Sequence, residues 1–212
     1  MKSILLYPTY IPSIVQMVAV AQAEKVVFEI EDNYQKQTYR NRAYIAHTNG
    51  RLLLSIPIKH SKERQHQKTK EIAIENSFRW QEEHWKSIQT AYRTSPFFEY
   101  YEDDLIPIFQ GKATHLLAYN QQIFDLFYEL LGLDTPYAST SEYLKNPPIQ
   151  DLRYLAQAKR EPDYPLTPYT QVLEAHHGYL PNLSILDLLC NEGPNALTYL
   201  ESQQIEFELN KD

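Results

Sequence analysis

Six side chains able to do polar chemistry crowd one short stretch of the sequence: Asp32, Lys36, Tyr39, Arg40, Asn41 and Arg42. The cations Lys36, Arg40 and Arg42, with the Asn41 amide, can hold a phosphate or carboxylate, because an arginine fork makes two parallel hydrogen bonds and lysine adds a point charge. The competing reading is a solvated edge strand, where cations suppress aggregation. Strand alternation puts Arg40 and Arg42 on one face and Asn41 on the other, so not all of them reach one ligand. Asp32 and His84 are the expected catalytic residues. His84 titrates nearest neutrality, yet it sits on an apolar stripe with Trp80 and Ile88, where a buried histidine bonded to backbone is the alternative. Asn120 interrupts the apolar face between Leu116 and Phe124, so its amide must bond either within the fold or to a ligand.

Other polar residues carry less. His176 and His177 are adjacent, so they diverge, and no third ligand has metal-binding spacing. Cys190 lies in the apolar run after Leu186 and reads as a small core residue rather than a nucleophile. Ser184 lacks a G-x-S-x-G context and reads as a helix cap. The pairs Glu82-Glu83 and Asp103-Asp104 diverge on helices as solvated faces.

The elements that must position these groups follow from hydrophobic periodicity. Ile4 to Leu6 and Val26 to Ile30 read as strands separated by a helix from Ser13 to Glu24. This is a βαβ unit whose ligand site lies beyond the strands' carboxyl ends, at the Tyr7 to Pro12 loop. Tyr39 to Thr48 and Arg51 to Ile58 flank Asn49-Gly50 and predict a hairpin whose two central positions have positive φ. Ser61 to Lys70 is a polar loop, and Glu71 to Glu75 a short strand. From Phe78 the period becomes helical, with Pro96 ending one helix, a second over Phe97 to Phe109, and a third over Ala113 to Leu131 closed by Gly132. A proline-rich, irregular excursion spans residues 145–168. Ser184 and Asp187 form a capping-box match that opens a helix ended by Gly193, and Ile205 to Leu209 reads as a last strand. The fold class is therefore α/β: an N-terminal βαβ unit with a mixed sheet and a β-hairpin, and a helix-rich second half packing on the sheet, all within one domain, 1–212.

Composition narrows the function. The 212 residues carry a net charge of -7, which disfavours nucleic acid and anionic membranes. Thirteen per cent are aromatic, with 17 tyrosines, so ring surfaces with hydroxyl handles are abundant. A single cysteine excludes an intrachain disulfide and fits a reducing, cytoplasmic setting. No apolar run reaches the length of a membrane span. Only 5 glycines are present, and no Gly-rich phosphate loop occurs. The residues name no cofactor.

Taken in order, several segments resemble the WbqC-like family of bacterial proteins. They are Tyr7-Pro8-Thr9-Tyr10-Ile11-Pro12, Lys36-Gln37-Thr38-Tyr39-Arg40-Asn41-Arg42, Leu54-Ser55-Ile56-Pro57-Ile58, Trp80-Gln81-Glu82-Glu83-His84, Tyr92 through Phe98, and Asn120. The run from Gly178 to Leu189, followed by Asn191-Glu192-Gly193-Pro194, is similar to a subgroup common in Bacteroidetes. Two departures stand out. Tyr7 occupies the place of the family's usual Gln, and Ser13-Ile14-Val15-Gln16 replaces its Trp-x-Gly-Tyr. The resemblance implies a link to O-antigen and surface-polysaccharide biosynthesis, with transfer of an amino acid to an amino sugar among the reactions associated with it. Two functions follow. One is a transferase using an activated sugar or aminoacyl donor, a phosphate-bearing small molecule held by Tyr7, Tyr10, Lys36, Arg40, Asn41, Arg42 and Asn120. The other is a non-catalytic binding or assembly module for polysaccharide-synthesis proteins.

Overall fold

The computed structural model describes residues 2–59, 67–159 and 161–208. Strand β1 (Ile4–Leu6) is wholly buried, as three consecutive aliphatic residues require, and helix α1 (Ile14–Ala21) carries the chain across to β2 (Val26–Phe28). β1 and β2 pair in parallel, with Ile4 opposite Val26 and Leu6 opposite Phe28. The βαβ unit forms as expected. Ser13 caps α1 by accepting the Gln16 amide on its Oγ at 3.3 Å.

Strands β3 (Arg42–His47) and β4 (Gly50–Ser55) make the antiparallel hairpin, which is a sheet of its own. Its turn differs from expectation: His47 pairs with Gly50, so Thr48 and Asn49 are the loop, and only Gly50 takes a positive φ, 105°. One left-handed residue is enough to close this connection, and Gly supplies it. Arg40 and Asn41 precede the strand rather than lying in it. Of the polar loop predicted over Ser61 to Lys70, residues 61–66 lie outside the described residues, and Thr69–Glu71 is a 3-10 turn. The strand predicted over Glu71 to Glu75 is reduced to single bridges, Ile58 with Ile74 and Ala73 with His115.

Helices α2 (Trp80–Tyr92), α3 (Phe98–Gln110) and α4 (Leu116–Leu130) follow the predicted periods. Trp80, His84, Ile88 and Tyr92, four residues apart, are all buried. Beyond α4, two strands that the sequence pattern did not reveal complete the first sheet. β5 (Tyr137–Ser139) joins β2, and β6 (Gln150–Asp151) joins β1, both in parallel, giving the order β5-β2-β1-β6. The proline-rich stretch is thus partly sheet. Just ahead of it the chain passes beside the end of β2, where the Leu144 amide donates to Glu29 Oε2 at 2.8 Å.

A short helix, α5 (Glu174–His177), precedes α6 (Ile185–Glu192) and α7 (Ala196–Ser202). Every residue from Leu183 to Asn191 is buried. The chain here is tied to distant elements, with the Ile14 amide on the Leu183 carbonyl, the Ser184 amide on Tyr44 and the Ile185 amide on Pro12. The predicted capping box does not form. Ser184 Oγ has no partner among the described residues, and Asp187 turns inward to accept from Tyr92, Tyr169 and Gln171. Gly193, at φ 53°, ends α6 as predicted. Residues 205–208 form no strand, and Leu209 lies outside the described residues. Among the described residues, no helix is long and apolar enough to cross a membrane.

Candidate functional site

The chain runs from β1 to β2 and on to β5 on one side, while β6 lies on the other, so the strand order reverses between β1 and β6. In parallel α/β sheets the crevice at such a reversal, outside the carboxyl ends, is where ligands bind. Four ionisable or aromatic residues stand there by position: Tyr7 just past β1, Glu29 just past β2, Asp151 ending β6, and Arg153 two residues on.

Tyr7 is the centre of this group. The Arg40 Cζ lies 3.7 Å from its ring centroid and the Arg153 Cζ 5.8 Å, so its ring has a guanidinium within cation–π range of each. Burial pushes its hydroxyl up to about 12, with Arg40 and Arg153 pulling back and Asp32 adding to the rise. At neutral pH Tyr7 is a hydrogen-bond donor. Arg40, only 1% exposed, pairs with Asp32 through Nη2 and Oδ2 at 2.7 Å and reaches Thr38 Oγ1 at 3.4 Å. Arg153 grips Asp151 with two bonds, Nε at 2.8 Å and Nη2 at 2.6 Å, donates to the Leu144 carbonyl at 2.8 Å and stands 3.8 Å from Glu29. Arg153 is therefore committed to the scaffold, whereas Arg40 retains an unbonded donor.

Arg40 and Arg42 both act on the Tyr34 hydroxyl, which burial pushes up to about 12 while the two guanidiniums pull it down. Asn120, fully buried, donates from Nδ2 to the Arg40 carbonyl at 2.7 Å and to the Pro8 carbonyl at 3.3 Å, fastening the Tyr7 loop to the arginine segment. Asn41 donates to the Ile56 carbonyl at 3.1 Å. Lys36 is exposed, next to Gln37 at φ 61°. Tyr10 is fully buried, and its hydroxyl meets His84 Nδ1 at 2.8 Å. Burial pushes the His84 imidazole down to about 4, a backbone bond to Ser55 offsetting only part, so the ring is neutral at pH 7. With a protonated tyrosine facing it, Nδ1 is the acceptor.

The structure thus gathers Asp32, Arg40, Arg42, Asn41, Asn120 and Tyr7, and leaves Lys36 at the surface and Tyr10 and His84 in the interior. Tyr34, Glu29, Asp151 and Arg153 escaped the sequence reading. The Asp151-x-Arg153 spacing was the available signal, since residues two apart at a strand end can close on one another.

The WbqC-like protein family model matches residues 7–164, three quarters of the chain and all of the residues gathered at this site. The chain belongs to the WbqC-like family. It is also similar to the uncharacterized protein Rv1507c of Mycobacterium tuberculosis, 25% identical over 226 residues, covering 94% of this chain and 97% of that protein. No solved structure matches. The WbqC-like match begins at Tyr7 itself and ends at Tyr164, past Arg153, so both guanidiniums flanking Tyr7 fall inside it.

Proposed function

We propose that the chain binds a phosphate-bearing small molecule at this crevice and transfers a group from it, in the surface-polysaccharide setting that its family resemblance implies. One observation carries the reading. Of the nine buried side-chain polar atoms without a partner among the described residues, six sit on Asp32, Arg40, Asn41, Arg42, Thr69 and Asn120. These residues are linked, since Asp32 pairs with Arg40, Thr69 donates its amide to the Asp32 carbonyl at 3.0 Å, Asn120 holds the Arg40 carbonyl, and Asn41 and Arg42 follow Arg40 in the chain. Buried polar groups are normally satisfied, so a concentration of unsatisfied ones marks a place built for a ligand.

The roles follow from the free atoms. Arg40 Nε and Arg42 Nε donate to phosphate oxygens, and the Tyr7 hydroxyl adds a neutral donor. Asp32, fixed through Oδ2, leaves Oδ1 to accept the proton of an incoming acceptor as it attacks the transferred group and the phosphate leaves. His84 and Tyr10 act from behind as positioning residues for the loop.

A thermal-shift panel of sugar phosphates, nucleotide sugars and aminoacyl phosphates tests this. Ligand at 100-fold over Kd should add about 2.7 kcal/mol of stability. Arg42→Gln should abolish the shift, and Arg40→Lys should weaken it by replacing a fork with a point charge. No shift with any donor, together with a stoichiometric protein partner recovered from the native host, would transfer the assignment to a non-catalytic module.

A further inference from the structure

The same carboxyl edge holds a second concavity. It is a cleft of about 260 Å³ whose apolar lining is Pro8, Phe28, Phe124 and Tyr137. Three strands of the sheet feed it, because Pro8 follows β1, Phe28 ends β2 and Ser139 ends β5. Phe28 and Phe124 are buried edge to face, with centroids 4.7 Å apart, and form the floor. Tyr137 is the wall. The residue is 43% exposed, its ring lies 5.2 Å from that of Phe124, and its hydroxyl is pinned by donation to Asp125 Oδ1 at 2.8 Å.

A fixed, half-exposed tyrosine beside an apolar floor favours a flat ring system, which gains by stacking whatever its edge pattern. Gln121 and Ser139 on the rim supply an amide and a hydroxyl to the edge of such a ring. Size argues the same way. Ligand pockets for whole drug-sized molecules run from roughly 300 to 1,000 Å³, so this cleft holds one planar group and the remainder of the ligand must lie elsewhere.

Where the remainder goes is set by Pro8. Its carbonyl and the Arg40 carbonyl share the Asn120 Nδ2 donor, at 3.3 and 2.7 Å, and its chain neighbour is Tyr7 under the Arg40 guanidinium. The aromatic cleft and the arginine knot therefore meet at the Tyr7-Pro8 segment, which lines the one and packs under the other. We propose that the phosphate-bearing ligand is a nucleoside phosphate, with its base in the Phe28–Phe124–Tyr137 cleft and its phosphate at Arg40 and Arg42. This deepens the function proposed above and rests on its phosphate assignment.

Isothermal titration of the full chain with ADP, UDP, ribose 5-phosphate and inorganic pyrophosphate separates the two assignments. At least one nucleoside diphosphate should bind about tenfold or more tighter than ribose 5-phosphate. Ser139→Trp, from an exposed strand position, should fill the cleft and remove that preference while leaving pyrophosphate affinity unchanged. Gln121→Trp, from the facing helix, gives the same readout should the first variant fail to fold. Equal affinities for nucleoside diphosphates and ribose 5-phosphate, or a preference that survives both tryptophans, would overturn the base assignment and leave the phosphate site standing. If pyrophosphate and every other phosphate fail to bind, the phosphate assignment falls and the base assignment with it.

Discussion

His84 shows how burial decides what a titratable side chain can do. Its imidazole is pushed from 6.5 to about 4 by desolvation. The unfolded chain therefore binds a proton between those values that the native chain does not. Stability present above pH 6.5 is lost as pH falls to about 4, a difference of about 3 kcal/mol at 1.36 kcal/mol per unit. Urea unfolding of the wild type and His84→Gln should diverge by about that amount between pH 7 and pH 4, the wild type being the steeper. Identical pH slopes would show that the histidine titrates alike in both states. The Asp32–Arg40 pair makes a second, opposite argument. Both side chains are almost fully buried, so Arg40→Met leaves a carboxylate uncompensated and should cost about 3–5 kcal/mol. Adding Asp32→Asn should recover part of that loss, because it removes the stranded charge. A double variant less stable than Arg40→Met would mean that Asp32 is held by something other than this ion pair.

The strands and helices differ in how plainly their residues announce them. β1, β2 and α2 to α4 were legible because their apolar residues repeat at strand or helix period. β5 and β6 were not, since Tyr137–Ser139 is exposed throughout and Gln150–Asp151 is a polar pair. Those strands exist because the buried β1–β2 pair offers backbone edges, a tertiary cause with no local pattern. The site divides the same way. Asp32, Arg40, Asn41 and Arg42 stand together in sequence and could be read as a cluster, whereas Arg153 reaches Tyr7, and Glu29 and Asp151 reach Arg153, only through sheet order. At Ser184 the local motif misled, because Asp187 finds stronger donors in the interior than a helix amide. Gly193, which was legible, carries a sharper demand than a helix stop. A Cβ there would lie 2.4 Å from the Phe97 ring, at a φ of 53°. Gly132, at φ 68°, has nothing within 4 Å. Gly132→Ala should thus cost only the left-handed penalty, about 1–2 kcal/mol, while Gly193→Ala adds overpacking of about 1–3 kcal/mol. Thermal melts of the two variants should rank Gly193→Ala clearly lower, and equal melting temperatures would show that Phe97 moves aside freely.

Asp187 ties together parts of the chain that are remote in sequence. Tyr92 of α2 donates to its Oδ1 at 2.8 Å, and Tyr169 and Gln171, ahead of α5, donate to its Oδ2 at 2.5 and 3.1 Å. Tyr92 also accepts the Ala46 amide of β3 at 3.1 Å, so the hairpin, the helices and the carboxyl-terminal segment meet at one carboxylate. Burial pushes that carboxyl above its ordinary value, and the hydroxyl and amide donors hold it back. The sign is opposite to that of His84. A raised native value means that stability is greatest below the unfolded pKa and is lost as pH rises through the native one. The donors bond more strongly to the ionised form than to the acid, since charge-assisted bonds contribute about 1.5–3 kcal/mol against about 1 for neutral ones. Tyr169→Phe should therefore cost about 1.5–3 kcal/mol at pH 8 and less in acid. Tyr92→Phe should follow the same trend, and the double variant should depart from the sum because both donors serve one group. Urea unfolding at pH 8 and pH 4 gives each term. A cost that did not change with pH would mean that Asp187 keeps one charge state in the native protein at both, and that its bonds to the hairpin and the carboxyl-terminal segment are not a pH-dependent link.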